Sequence, residues 1–154
     1  MKKLNIVIIG LGNIGSYLYK YLQINKKKLS KKNNCIPNVI YVSAKSKNKK
    51  RKIKINKKKW LRSYLSATKL KEVDVIVELI GGAEGAAKKL VFSALKNKKH
   101  VVTANKALIA KYGDQLAKIA EKNKVNLEFE AAVCGGVPII RSLKEGLIAN
   151  KIFR

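Results

Sequence analysis

Gly10, Gly12 and Gly15 stand in a G-x-G-x-x-G, Gly10-Leu11-Gly12-Asn13-Ile14-Gly15. That spacing suits one task, the seating of a dinucleotide's paired phosphates. Gly10 permits a tight turn, Gly12 lets a pyrophosphate approach the backbone, and Gly15 lets a helix pack closely on a strand. The amides of Gly12, Asn13 and Ile14 would face the phosphates from a helix N-terminus, where the dipole favours anions. A glycine turn that binds nothing has the same residues, and only the flanking elements separate the two readings.

A second group with chemical potential is Thr103-Ala104-Asn105-Lys106, which follows the apolar pair Val101-Val102. A third is Gly81-Gly82, which follows Asp74-Val75-Ile76-Val77-Glu78-Leu79. In an open α/β sheet ligands sit beyond the carboxyl ends of the strands, where these residues would lie. A partly desolvated lysine there, near a cationic nicotinamide, would polarise a carbonyl or exchange a proton, which makes Lys106 the catalytic candidate. A helix-starting surface lysine is the plainer alternative, because lysine is abundant throughout the chain. Cofactor choice turns on the second strand. NAD-binding folds place Asp or Glu near its end for the ribose 2′-hydroxyl. Here the first acidic residue is Glu72, and the strand runs out through Ser43-Ala44-Lys45-Ser46-Lys47. A hydroxyl and cations suit a 2′-phosphate, so NADP is expected ahead of NAD, although lysine is so common in this segment that Lys45 also reads as plain surface.

The elements that must hold these groups follow from patterning. Ile6 to Ile9 has the length and β-branching of a buried parallel strand, and Ile14, Tyr17, Leu18, Tyr21 and Leu22 recur at helical spacing after the glycines. Residues 26–34 read as a basic loop and Asn38 to Ser43, introduced by Pro37, as the second strand. Residues 44–59 read as a low-complexity mobile loop, and Trp60, Leu61, Tyr64 and Leu65 as a short helix. Strands are expected at 74–79, 101–103 and 125–131. A helix is expected over 84–97 with Ala87, Leu90, Val91, Ala94 and Leu95 inward, and another over 107–123 broken at Tyr112-Gly113. Pro138 to Asn150 should form a last helix with Pro138 in its first turn. Alternating β and α of this kind predicts an α/β fold, a doubly wound parallel sheet of the Rossmann-like dinucleotide-binding type.

Composition bounds the rest. The 154 residues suit one domain with a full-sized core. No run of eighteen apolar residues predicts a membrane span, and the apolar stretch after Met1-Lys2-Lys3 is too short for a signal peptide. Cys35 and Cys134 suggest no disulfide framework and fit a reducing cytoplasm, while the single histidine, His100, excludes a two-histidine metal site. The net charge of +26 invites a nucleic-acid reading, yet arginine supplies only positions 51, 62, 141 and 154 of the 35 basic residues. Base readers and phosphate clamps favour arginine's fork. Scattered lysine without interleaved aromatics reads as a solvated surface, giving non-specific polyanion adhesion at low salt and no specific nucleic-acid partner.

Four blocks of the chain resemble homoserine dehydrogenase, particularly its proteobacterial form. They are Gly10 to Gly15, Val77-Glu78-Leu79-Ile80-Gly81-Gly82, Lys99 to Leu108, and Phe129-Glu130-Ala131-Ala132-Val133-Cys134-Gly135-Gly136-Val137-Pro138-Ile139-Ile140. The likeness continues through Leu143 to Leu147 and Asn150 to Ile152 and is lost in the lysine-rich stretches. It implies nicotinamide-dependent interconversion of L-aspartate 4-semialdehyde and L-homoserine, on the route to threonine, methionine and isoleucine. It further implies that Leu11, Gly12, Asn13 and Ile14 hold the pyrophosphate, Lys45 the adenosine ribose or its phosphate, and Lys106 the reacting carbonyl. A sodium ion would rest on Glu130 and the backbone of Val133, Gly135 and Val137, where oxygen-only ligation suits a hard cation. Without the resemblance, Glu130 reads as a cap for local amides. Residues 1–137 would be the NAD(P)-binding domain and 138–154 the opening of a truncated substrate and dimerisation domain. On that reading the small-molecule substrate needs the missing domain, oligomers form only with it, and this chain alone turns over little. A non-catalytic dinucleotide- or polyanion-binding protein on the same fold is the alternative.

Overall fold

The structure is a computed structural model that describes residues 1–146. Five parallel strands form one sheet in the order β2-β1-β3-β4-β5, comprising β1 (Lys2–Ile9), β2 (Cys35–Ser43), β3 (Val75–Glu78), β4 (His100–Thr103) and β5 (Leu127–Glu128). The helices are α1 (Asn13–Ile24), α2 (Lys26–Asn33), α3 (Ala86–Lys96), α4 (Lys106–Lys122) and the short α5 (Ile139–Arg141). The strands run parallel, but the order in which they are added reverses between β1 and β3, and the carboxyl ends of those two strands are the usual seat of a ligand in such sheets.

Alternation along β1 builds two cores at once. Val7 and Ile9 point to one face and join Ile76, Leu90, Leu95, Val101, Leu108 and Leu116 beneath α3 and α4. Ile6 and Ile8 point to the other, with Val39, Val42, Val77 and Tyr19 beneath α1. All five expected inward residues of α3 are fully buried. α1 differs in detail: Gly15 and Tyr19 are its buried residues, while Ile14, Tyr17 and Tyr21 lie exposed.

Several expectations are corrected. The basic stretch 26–34 is helical over Lys26–Asn33, because lysine is a fair helix former and left-handed Asn34 ends the turn. β2 begins at Cys35 and carries Pro37 within it, which an edge strand tolerates. α4 runs unbroken through Gly113, since burial of Leu108, Leu116 and Ala120 outweighs the glycine's cost of about 1 kcal/mol. Trp60 is not helical but bridges to Val42, and the turn that follows is a 3₁₀ helix at Tyr64–Thr68. β5 is only Leu127–Glu128, because the chain turns into a 3₁₀ helix at Glu130–Ala132. After α5 comes a π turn over Ser142–Gly146, and the remainder of the expected last helix lies outside the described residues.

The lysine-rich segment 44–59 folds back along β2 rather than projecting. Ile53 and Ile55 pack on the α1-side core. Arg51 fastens the segment: Nε donates to the Leu11 carbonyl at 3.0 Å, and the terminal nitrogens donate to the carbonyls of Ser46, Lys47 and Lys49. Its guanidinium lies 5.4 Å from the Trp60 ring centre.

Candidate functional site

The glycine corner has the form its spacing demands. Gly10 donates to Ser43 O at 2.9 Å, tying the end of β1 to the end of β2. A Cβ at Gly15 would meet the Gly10 carbonyl oxygen at 1.9 Å, so only glycine lets α1 start this close to the strand. A Cβ at Gly12 would meet nothing within 4 Å, so that side of the turn is open. Gly12 precedes α1 without a side-chain cap, and Gly12, Asn13 and Ile14 are all exposed. Among the described residues, no intramolecular acceptor takes up the Gly12, Asn13 or Ile14 amides. Unspent amides at a helix N-terminus, in front of open space, are what a pyrophosphate requires. The corner is thus neither plugged nor self-satisfied, and its residues fit a dinucleotide.

At the end of β2, Ser43 and Ala44 are half-buried and Lys45 is exposed, with no hydrogen bond or ion pair among the described residues. Arg51, passed over in the sequence because lysines surround it, reaches the glycine corner itself through Leu11. The only signal for it was its identity as an arginine in a lysine tract.

At the ends of β3 and β4 the structure brings together Gly81, Gly82, Thr103, Asn105 and Lys106. Glu78 and Thr103 are register partners, and Thr103 Oγ1 donates to Glu78 Oε2 at 2.6 Å. Glu78 Oε1 accepts from the amides of Ile80 and Gly81. Asn105 caps α4 by accepting from the Leu108 amide, and its Nδ2 donates to the Gly82 carbonyl at 2.7 Å. Lys106 is therefore placed as the first, exposed residue of a capped helix at the sheet edge. Beyond the glycines, Glu84 collects Lys111 at 2.8 Å, the Tyr112 hydroxyl and Lys88 at 3.2 Å. Those bonds, that from Lys111 foremost, hold the Glu84 carboxyl down to about 2.

In the loop after β5, Glu130 accepts from the Ile140 and Arg141 amides, each at 3.0 Å, which ties the loop to α5. Val133, Gly135 and Val137 lie in the same turn, where the Val137 amide donates to the Cys134 carbonyl. Two surface cavities, of about 300 and 470 Å³, lie beside Tyr19 and Ile53 and along α4 between Lys111, Tyr112 and Phe129, and neither is lined by the glycine corner, Gly81, Gly82, Thr103 or Lys106. The candidate site lies along the carboxyl edge of the sheet, at the ends of β1, β3 and β4.

A five-stranded parallel sheet with an open glycine corner on its first crossover defines a dinucleotide-binding domain of the Rossmann-like class. A family model described as the homoserine dehydrogenase NAD-binding domain matches residues 10–130. A homoserine dehydrogenase of Neisseria gonorrhoeae is 42% identical over 155 residues, covering 99% of this chain and 34% of its own length. The structure of a homoserine dehydrogenase from Thiobacillus denitrificans aligns with a TM-score of 0.88 at 37% identity, covering 99% of this chain and 35% of that one. A hyperthermophilic archaeal homoserine dehydrogenase in complex with NADPH aligns with a TM-score of 0.72 at 25% identity, covering 92% of this chain and 48% of that one. The chain belongs to the homoserine dehydrogenase family, as its NAD-binding domain, and spans about a third of the length of the curated relatives it matches.

Proposed function

We propose that the chain is the cofactor-holding part of an NADP-linked homoserine dehydrogenase, reducing L-aspartate 4-semialdehyde to L-homoserine. The observation that carries this reading is the row of unspent amides at Gly12, Asn13 and Ile14 facing open space. Gly10, Leu11 and Gly15 shape that row, and it would hold the pyrophosphate. Lys45 would meet the adenosine 2′-phosphate, a preference for NADP favoured by the absence of any acidic residue before Glu72. The NADPH held by the archaeal relative points the same way. Gly81, Gly82 and Thr103 would flank the nicotinamide. Bound there, the cofactor supplies the hydride. Lys106 would steady the carbonyl oxygen and deliver its proton, since an ammonium both attracts developing charge and donates.

A sodium ion is proposed on Glu130 with the carbonyls of Val133, Gly135 and Val137. Glu130 would share its lone pairs between the ion and two amides, within the capacity of an ionised carboxylate. Residues 1–137 are taken as the dinucleotide unit, with 138–154 leading into a substrate region. We place the protein in the cytoplasm, acting in biosynthesis of threonine, methionine and isoleucine, with the two cysteines free. Among the described residues no helix is long and apolar enough to cross a membrane.

The test is a graft of this chain in place of the matching third of the Neisseria gonorrhoeae enzyme. The graft should oxidise homoserine with NADP+ faster than with NAD+, and Lys106→Ala should lower kcat by at least about a hundredfold. A Lys106→Ala graft with undiminished kcat would remove the lysine from the mechanism. A graft that binds NADPH yet ignores homoserine would overturn the substrate assignment.

A further inference from the structure

Glu78 is ionisable and fully buried, and among the described residues no cation lies within ion-pair distance of it. A carboxylate in such a place is costly unless its oxygens are fully hydrogen-bonded, and an apolar side chain would serve packing better. Its donors identify its use. The Ile80 and Gly81 amides, at 2.7 and 3.1 Å, come from the turn after β3, and the Thr103 hydroxyl, at 2.6 Å, from the end of β4. Because Thr103 spends its proton on Glu78, its lone pair is left for the Asn105 amide at 3.1 Å. Asn105 closes the ring by donating to Gly82, and it caps the helix that Lys106 begins. One carboxylate thus sets the shape of two neighbouring turns. Gly81 and Gly82 themselves have φ near 86° and 80° and meet nothing on their outer side, so the turn is held from beneath and open above.

We infer that Glu78 is a positioning residue for the nicotinamide half of the cofactor: it fixes the turn 79–82 and, through Thr103 and Asn105, the start of α4 with Lys106. The inference rests on the dinucleotide reading above and goes beyond it by separating the two halves of the ligand. The Gly10 backbone packs against the Leu79 carbonyl and the Ile80 amide, but the corner's own hydrogen bonds, Gly10 to Ser43 and Arg51 to Leu11, do not run through this ring, and its unspent amides belong to Gly12, Asn13 and Ile14. Loss of the ring should therefore weaken contacts to the nicotinamide while leaving those to the pyrophosphate and adenosine.

The experiment compares wild-type chain with Glu78→Gln, titrating NADPH by its fluorescence and its nicotinamide-free fragment, 2′-phospho-ADP-ribose, by calorimetry. In Glu78→Gln one acceptor becomes a donor facing the Thr103 hydroxyl, whose own proton loses its partner. NADPH affinity should fall about tenfold, the effect of one charged hydrogen bond, and affinity for the fragment should stay within about twofold. Unchanged NADPH affinity, or an equal loss of both ligands in a protein of native circular dichroism, overturns the inference. If Glu78→Gln does not fold, Asn105→Ala, which opens the ring at Gly82 and leaves the bonds to Glu78 in place, carries the same comparison. A wild-type chain that binds neither ligand overturns the dinucleotide reading, and the inference with it.

Discussion

Two glycines three residues apart answer to different constraints. Gly15 is required by the fold, since any Cβ there collides with the Gly10 backbone. Gly15→Ala should destabilise the chain by about 3 kcal/mol, visible as an earlier urea midpoint. An unchanged midpoint would mean that α1 does not approach the strand as described. Gly12 is required only by what binds, because space lies open beside it. Glu84, beyond Gly81 and Gly82, offers a pH signature. Its folded pKa of about 2 lies below the ordinary value near 4.5, so its stabilising bonds are fully present above about pH 4.5 and are lost as pH falls through about 2. The Tm difference between wild type and Glu84→Gln should shrink over that interval, and a constant difference would show that the carboxylate is not held by Lys111, Tyr112 and Lys88. At this scale the placement of the glycines, Thr103 and Lys106 at strand ends was legible, because their spacing matches strand-end geometry. Arg51 and Glu78 were not. An arginine among lysines looks like surface, and the use of a buried glutamate depends on donors from a strand 25 residues away.

Elements were legible where apolar periodicity was strong and lost where another force chose the backbone. The inward face of α3 was read residue for residue because five apolar positions repeat on it, while the helix itself, Ala86–Lys96, is shorter at both ends than the expected 84–97. α2 has no such repeat, and its helix rests on propensity and contact with β2. Gly113 misled in the opposite direction, signalling a break where packing holds the helix. Gly113→Ala should stabilise α4 by about 0.5–1 kcal/mol, because the added Cβ meets only the Ile109 side chain at an ordinary 3.6 Å. No gain in Tm would mean that the helix is interrupted there after all. β5 ends early because Glu130 draws the following loop toward α5 through the Ile140 and Arg141 amides, a tertiary pairing absent from any local pattern. The segment 44–59 looked mobile because its lysines conceal Ile53, Ile55 and Arg51. Arg51→Ala should raise amide hydrogen exchange across 44–51 while leaving β1 and β3 protected. Unchanged exchange would deny Arg51 its fastening role.

For the whole molecule, 35 basic against 9 acidic residues sets a strong positive field. Such a field attracts any polyanion and weakens steeply with added salt. Dinucleotide affinity built on backbone amides in a fixed corner should depend far less on salt than adhesion spread over surface lysines. The two kinds of binding are therefore separable on one sample. The deciding measurement is a fluorescence titration of NADPH at about 0.3 M salt against wild-type chain and Gly12→Asp. Saturable binding is expected for the wild type and none for Gly12→Asp, with the circular dichroism of both alike. Equal binding by the two proteins, or none by the wild type, would contradict the dinucleotide reading.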